Sequence, residues 1–126
     1  MRVLIADDQK DVGSSLAALV TECHHEVVDV VASGFDAIQA YHRHHPDLVL
    51  MDHNMARLNG ATACRNILAR DPAAQIVFVS GACSGADLSY IGAVATLPKP
   101  VTLADLTTLF ASRTLPAAAT GPAAVG

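Results

Sequence analysis

Short apolar runs rich in β-branched residues alternate along the chain with longer segments in which apolar residues recur every three or four positions. The runs occupy residues 3–6, 27–31, 48–51, 76–79 and 94–97. Each run has the length of a buried strand, and the segments between them have the period of a helix with one apolar face. The last segment carries the stripe Leu103, Leu106 and Leu109, which we interpret as core packing. Alternation of strand and helix is typical of a parallel sheet, so the pattern predicts one α/β domain of five strands and five helices.

The predicted helices have clear starts and stops. Three starts carry a hydroxyl residue followed three positions later by an acid, as in a capping box: Ser33 and Asp36, Ser84 and Asp87, and Thr102 and Asp105. Pro46 and Pro72 disfavour helical backbone in the residue before each of them, and Gly92 can close the fourth helix. After residue 112 the sequence loses its period. We therefore predict a domain over residues 1–112 and a disordered tail over residues 113–126.

Composition and charge narrow the class of protein. With 126 residues, of which 52% are hydrophobic, the chain is long enough for one core. No apolar run approaches the roughly 18 residues of a membrane span, and acidic residues follow the first run too soon for a secretory signal, so we expect a cytoplasmic protein. The 8 basic residues are scattered and the net charge is −4, which argues against nucleic acid as a partner. Cys23, Cys64 and Cys83 show no C-x-x-C spacing, so we expect buried reduced thiols.

Polar residues stand at or just beyond the carboxyl ends of four predicted strands. Asp7 and Asp8 follow the first strand, Asp52 follows the third, Ser80 follows the fourth and Lys99 comes after the fifth. Parallel strands share one carboxyl edge, and open α/β folds bind ligands there, where the strand order reverses. In a sheet of order 2-1-3-4-5, strands 1, 3, 4 and 5 are neighbours about 4.8 Å apart. We therefore expect the acids, the hydroxyl and the ammonium to converge.

Three carboxylates at this edge would repel one another, by roughly 4 kcal/mol per pair at 4 Å separation and an effective dielectric constant of 20. A divalent cation would offset the repulsion, because the charges of three acids, one lysine and one such ion cancel. An all-oxygen site favours magnesium over zinc. A neutral site of this kind can accept a transferring phosphoryl group, with a carboxylate oxygen attacking in line while the cation and Lys99 hold the equatorial oxygens.

In these residues the chain resembles the receiver domain family of two-component response regulators. The resemblance covers residues 1–112 and rests on the pair Asp7-Asp8, the run LVLMDHNMARLNG around Asp52, Ser80 followed by glycine, and the pair Lys99-Pro100. It implies a doubly wound, flavodoxin-like fold with strand order 2-1-3-4-5. Because the tail after the domain is too short for an output domain, we expect a stand-alone receiver without a DNA-binding output domain, which catalyses only its own phosphorylation and dephosphorylation.

The resemblance further implies roles for individual residues and partners. Asp52 is the implied phosphoacceptor. The implied magnesium ligands are Asp7, Asp8, Asp52 and the backbone carbonyl of Asn54. Ser80 would sense the phosphoryl group, Lys99 would pair with it, and the peptide bond between Lys99 and Pro100 would be cis. The phosphoryl group would come from a histidine kinase or a histidine phosphotransfer protein, and the signal would pass to a downstream protein.

Two features depart from the family pattern. Most receivers have an aromatic residue three positions before the lysine, where its ring turns inward after phosphorylation, but here this position is Thr96. The stretch from Ser80 to Lys99 is shorter than in the family by about one helical turn. Both features fall on the face that many relatives use for output. We therefore predict intact phosphorylation chemistry together with an unusual output face.

Other functions fit the sequence less well. An aspartyl-phosphate hydrolase would need a second acid where Asn54 stands. A flavin module of the flavodoxin type would need a phosphate-binding loop where residues 7–11 read DDQKD. A receiver-like binding module that works without phosphorylation stays open, because Thr96 and the short fourth helix favour it. Histidines such as His44 and His45 are predicted at helix ends away from the carboxyl edge, and we interpret them as surface residues rather than metal ligands.

Overall fold

The computed structural model describes residues 1–52, 60–80 and 94–118, with the backbone alone described at residues 60, 61, 80, 98 and 112–118. The strands are β1 (Arg2–Ala6), β2 (Glu26–Val31), β3 (Leu48–Asp52), β4 (Ile76–Ser80) and β5 (Ala95–Pro98). The helices are α1 (Lys10–Glu22), α2 (Gly34–His44), α3 (Gly60–Arg70) and α4 (Leu103–Ala118). Every strand therefore begins and ends within one residue of its predicted bounds.

The strands form one parallel sheet in the order β2-β1-β3-β4-β5, which confirms the predicted order. After β1 the chain moves outward to β2 and then crosses to β3 on the other side of β1. The strand order therefore reverses between β1 and β3, where open α/β folds bind their ligands. Ala6 of β1 lies beside Met51 of β3 in the register, so the residues that follow these two strands emerge next to each other.

Helices cover both faces of the sheet, because its strands are apolar on both sides. On one face Leu4 and Phe78 pack with buried residues of α2 and α3. On the other face Ile5 and Leu50 pack with buried residues of α1 and α4. Within the described part of the chain, no helix combines the length and the apolar character that crossing a bilayer requires.

Capping interactions form at two of the predicted helix starts. Ser33 Oγ accepts a hydrogen bond from the backbone N–H of Asp36, with an N–O distance of 3.1 Å. Thr102 and Asp105 form a complete capping box, because each backbone N–H donates to the side chain of the other residue, both at 3.1 Å. These contacts satisfy N–H groups that the first helical turn leaves without partners. The box predicted at residues 84 and 87 lies outside the described residues.

The final helix differs from its prediction at both ends. Leu106 is fully buried and Leu109 is 7% exposed, but Leu103 is 41% exposed. The prediction of core packing was wrong for Leu103, because this residue opens α4, one turn ahead of the part that reaches the core. At the other end α4 continues to Ala118, so residues 113–118 are helical rather than disordered. The added segment reads RTLPAA and contains Pro116, which disfavours a helix interior, so helix propensity does not account for the continuation.

Two further predictions on chain organisation concern residues that the structure does not describe. These are the fourth helix over residues 84–92 and the tail over residues 119–126. Both stay predictions, as does a domain limit at residue 112.

Candidate functional site

Three aspartates meet at the carboxyl edge of the sheet, where the strand order reverses. Asp7 and Asp8 follow β1 directly, and Asp52 is the last residue of β3. Asp7 and Asp52 are 3% and 4% exposed, whereas Asp8 is exposed to solvent. One carboxylate oxygen from each aspartate lies within 4.8 Å of the oxygens of the other two. The structure therefore brings together the three acids that the sequence predicted to converge.

The backbone fixes the orientation of Asp7. Its N–H donates to the carbonyl of Val31 at 2.9 Å, which continues the pairing between β1 and β2 by one residue. Its Oδ1 accepts a hydrogen bond from the backbone N–H of Gln9 at 2.8 Å. Its Oδ2 is buried and has no hydrogen-bond partner in the described part of the chain. One oxygen of Asp7 thus serves local structure, and the other faces the cluster.

Lys99 contributes the positive charge that the sequence predicted. It lies just beyond β5, and its Nζ is 3.3 Å from Asp7 Oδ2 and 3.3 Å from Asp52 Oδ1. One ammonium therefore bridges two buried carboxylates, and the cluster of three aspartates and Lys99 keeps a formal excess of negative charge. Ion pairs of this kind are stabilising only where the remaining charge is also balanced.

The residues present fit a hard divalent cation. All candidate ligand atoms are carboxylate oxygens, and magnesium prefers oxygen ligands. Asp7 Oδ2 is buried and makes no hydrogen bond with any described residue, and the Lys99 ammonium 3.3 Å away is shared with Asp52, so one positive charge faces the negative charges of three aspartates. The exposed carboxylate of Asp8 leaves the cluster open to an ion from solvent. Among the described residues, these aspartates are the one group of three acidic, histidine or cysteine ligands spaced closely enough for a metal.

Of the remaining predicted site residues, two lie at or beyond the same edge, one lies within β5 and one lies outside the described residues. Ser80 ends β4 and lies beside Pro98 in the register, but only its backbone is described. Thr96 lies in β5 beside Phe78 and is half-buried. The peptide bond between Lys99 and Pro100 is cis, as the family resemblance implies. Asn54 lies outside the described residues.

The described histidines lie away from the aspartates, as predicted. His24 and His25 connect α1 to β2, and His42, His44 and His45 lie along and after α2. They therefore gather towards the amino ends of β2, β1 and β3, opposite the carboxyl edge. Two of them, His24 and His45, have left-handed backbone with φ of 65° and 48°. Such angles at helix ends are usual for glycine or asparagine, and nothing in the sequence pattern pointed to them.

The free thiols match their prediction in part. Cys64 in α3 is fully buried, and burial raises its pKa to about 11, so it is an unreactive thiol near neutral pH. Cys23 is partly exposed, so the prediction of burial was wrong for this residue. It is the C-cap residue of α1 and packs against the core at its margin. Cys83 lies outside the described residues.

A groove lies beside Lys99. It lies between α1 and the segment after β5, and its volume is about 360 Å³. Its lining residues are Asp11, Val12, Ser15, Leu16, Leu19, Lys99, Pro100 and Val101. The signal in the sequence was the width of the apolar stripe of α1, since Leu16 is buried while Val12 and Leu19 stay partly exposed. The groove is mostly apolar, and Lys99 connects it to the aspartates.

Comparison with known proteins gives one consistent family. The sequence profile of the response regulator receiver domain matches residues 3–111. The transcriptional regulatory protein PdtaR of Mycobacterium tuberculosis is 36% identical over 109 residues, which cover 83% of this chain and 52% of PdtaR. The chemotaxis protein CheY of Thermotoga maritima is 35% identical over 79 residues, 63% of this chain and 66% of that protein. The match thus spans about half of the length of PdtaR and 66% of the length of this CheY, so neither relative is matched over its whole length.

Solved structures share the fold. The structure of the CheX-CheY-BeF3-Mg²⁺ complex from Borrelia burgdorferi contains a chain that superposes with a TM-score of 0.84 at 26% identity. The superposition covers 89% of this chain and 87% of the matched chain. A response regulator receiver domain protein from Clostridium thermocellum superposes with a TM-score of 0.85 at 21% identity, over 95% of this chain and 98% of that one. At the lower identity the likeness shows the fold alone.

Proposed function

Because the chain belongs to the response regulator receiver family of two-component systems, we propose that it accepts a phosphoryl group on the carboxylate of Asp52. One observation carries the proposal: Asp52 is almost completely buried at the carboxyl edge, with Lys99 Nζ 3.3 Å from its Oδ1 and two further aspartates beside it. Burial and the ion pair restrict the orientation of this carboxylate, and a fixed orientation of the attacking oxygen is a main requirement of phosphoryl transfer.

The transfer would proceed from a phosphohistidine of a kinase or a phosphotransfer protein. A carboxylate oxygen of Asp52 would form a bond to phosphorus while the bond from phosphorus to the histidine nitrogen breaks, and the released imidazole would take a proton from water. Lys99 would stay beside Asp52 and pair with the transferred phosphoryl oxygens. The hydroxyl of Ser80, at the end of the adjacent β4, would donate to the same group.

Magnesium would be held by Asp7, Asp8, Asp52 and the backbone carbonyl of Asn54. When bound, it would supply positive charge next to the phosphoryl oxygens and balance the excess charge of the aspartates. The Mg²⁺ and BeF3 of the Borrelia burgdorferi complex support a site of this kind in a protein of the same fold. In this chain the excess negative charge that three aspartates keep beside the single ammonium of Lys99 supports it.

The partners would be proteins. The groove between α1 and the segment after β5 opens next to Lys99, so a donor that docks there would present its phosphohistidine to Asp52. The signal would then pass to a downstream protein in the cytoplasm. In this function the chain is no general enzyme, since it acts only on its own aspartate.

A phosphorylation-independent binding module is the second candidate. Thr96 favours it, because a half-buried threonine in β5 has no ring that could turn inward after phosphorylation. Such a module would keep its partner when Asp52 is replaced by alanine, whereas a phosphorylation-dependent receiver would lose it.

The test of the proposal is the intact mass after incubation with acetyl phosphate and magnesium. We expect the wild type to gain one phosphoryl group and to lose this gain when the metal is chelated. Asp52→Asn should gain none. Glu22→Gln, which removes an acid at the far end of α1, is the matched control and should behave as the wild type. A folded wild type that gains nothing, or an Asp52→Asn variant that gains as much, would contradict phosphorylation at Asp52.

A further inference from the structure

The outer edge of β2 is an open side of the sheet. β2 is the last strand of the order β2-β1-β3-β4-β5 and pairs with β1 on its inner side. The carbonyl of Val31 accepts a hydrogen bond from Asp7 N, so the peptide groups of Val31 face β1. Peptide groups alternate in direction along a strand, and therefore the N–H and C=O of Val30 point outward. Val30 itself is 43% exposed.

This edge has the composition of a strand that pairs readily. β2 reads EVVDVV, so four of its six residues are valine, which favours extended backbone. Exposed strands of this kind can pair with a second chain through their unsatisfied N–H and C=O groups. Stable monomers therefore need a feature that blocks such an edge.

Asp29 provides that feature. Its Oδ1 accepts a hydrogen bond from the outward N–H of Val30 at 2.9 Å, which occupies a donor that a neighbouring strand would use. Its Oδ2 is 3.5 Å from Nε2 of His44 at the end of α2, so the carboxylate is held from the helix as well. The register with β1 also shifts between Val27 and Asp29, which makes a bulge at Val28. Bulges and charged side chains are the usual means by which proteins protect strand edges.

We propose that the outer edge of β2 is a latent pairing surface for a second copy of this chain, and that the Asp29 carboxylate, held by His44, keeps it closed. A second copy fits this edge because two β2 strands related by a two-fold axis offer each other the same row of donors and acceptors. To pair, the carbonyl of the second copy would have to displace Asp29 from the Val30 N–H. The displaced carboxylate would lose solvent and its hydrogen bond together, which is unfavourable for a charge.

The experiment measures the mass of the purified protein by sedimentation velocity over a wide range of concentrations. Asp29→Val removes the carboxylate and keeps a strand-forming side chain, and we expect its mass to shift from the 13.1 kDa of one chain towards twice that value. Adding Val30→Lys places a charge on the open edge and should return the mass to that of the wild type. Glu26→Gln is the matched control, since it removes a negative charge from β2 and leaves the contact with Val30 intact.

Two further variants test the mechanism. Asp29→Asn keeps an oxygen that accepts from the Val30 N–H and should shift less than Asp29→Val. His44→Ala releases the carboxylate from α2 and should shift the mass in the same direction. A folded Asp29→Val variant with the wild-type mass would overturn the proposal, and so would a larger mass that Val30→Lys fails to reverse. If circular dichroism shows that Asp29→Val is unfolded, Asp29→Ala is judged by the same two criteria.

Discussion

The two ends of the parallel sheet treat charge in opposite ways. At the amino end, several charged and polar groups have partners within the chain. The Met1 amino group donates to Nδ1 of His25 at 2.8 Å. The guanidinium of Arg2 donates to the carbonyl of His44 at 2.6 Å, and its backbone N–H donates to Oδ2 of Asp47 at 2.8 Å. The guanidinium thus provides a hydrogen-bond donor to a carbonyl at the end of α2, and the backbone contact links the start of β1 to the residue before β3.

At the carboxyl end, like charges are held together. Asp7, Asp8 and Asp52 share a region less than 5 Å across, and Lys99 is the described cation beside them. The amino end therefore adds to the stability of the fold, whereas the carboxyl end lowers it unless a cation binds. Sites that bind and react commonly keep such unfavourable arrangements, because the ligand or the transition state supplies the missing interaction.

The largest expected effect is the response of stability to magnesium. An ion that binds only the folded state raises the free energy of unfolding, by about 2.7 kcal/mol when its concentration is 100 times its dissociation constant. If the aspartates at the carboxyl end hold magnesium as proposed, urea unfolding of the wild type should shift to higher denaturant concentration as magnesium is added.

Asp7→Asn is the control for this prediction. It should reduce the response to magnesium, because it replaces a charged ligand oxygen by an amide. Without metal it should be at least as stable as the wild type, because it removes one of three mutually repelling charges. Equal responses of the two proteins to magnesium would place the stabilising ion elsewhere and would break the contrast between the two ends.

A smaller effect on the free energy of unfolding is expected from Tyr41→Phe, which removes a contact at the amino end of the sheet. The Tyr41 hydroxyl donates to Asp71 Oδ2 at 2.6 Å and so joins α2 to the turn after α3. Burial, together with the hydrogen bond and the charge of Asp71, raises the pKa of Tyr41 far above its usual range, so the phenol stays a neutral donor. Losing a hydrogen bond to a charged group should lower the free energy of unfolding by about 2 kcal/mol.

The magnesium response gives this second prediction its control. Urea unfolding of Tyr41→Phe with and without magnesium should show the same increment as the wild type, since Tyr41 lies far from the aspartates. Asp71→Asn keeps an acceptor for the hydroxyl and should cost less than Tyr41→Phe. An unchanged stability of Tyr41→Phe would show that the contact with Asp71 contributes nothing.

The site at the carboxyl end was predictable because each of its residues has a recognisable position relative to a strand in the sequence. Asp7 and Asp52 each follow an apolar run, and parallel strands bring the residues at their carboxyl ends together at one edge of the sheet. Strand bounds came from runs of buried residues for the same reason. Contacts that depend on which side chains face each other across elements carry no period. Neither the bond from Tyr41 to Asp71 nor the ion pair of Asp29 with His44 could be predicted in this way.

Helix ends show the same limit. The capping box of Thr102 and Asp105 was predictable because it is made within four residues. The end of α4 at Ala118 was not, because loss of the apolar period was interpreted as loss of structure. Residues 113–118 include Pro116, which disfavours a helix, so the local sequence carried no signal for the continuation.

The smallest expected effect is a pH dependence that arises at the amino end. His25 packs against Phe110, with ring centroids 4.0 Å apart, and burial lowers its pKa from the usual 6.5, with smaller contributions from the charges of the Met1 amino group and of His24. The unfolded chain therefore takes up a proton first as the pH falls below 6.5, and the free energy of unfolding should decrease from there towards the pKa of His25 in the folded protein.

We expect His25→Gln, whose side chain can still accept from the Met1 amino group, to lose part of this decrease in urea unfolding between neutral and mildly acidic pH. His45→Gln, an exposed histidine at the same end of the sheet, should keep the wild-type profile. If both variants keep the wild-type loss of stability at mildly acidic pH, then that loss arises from groups other than His25, and the amino end does not contribute to it.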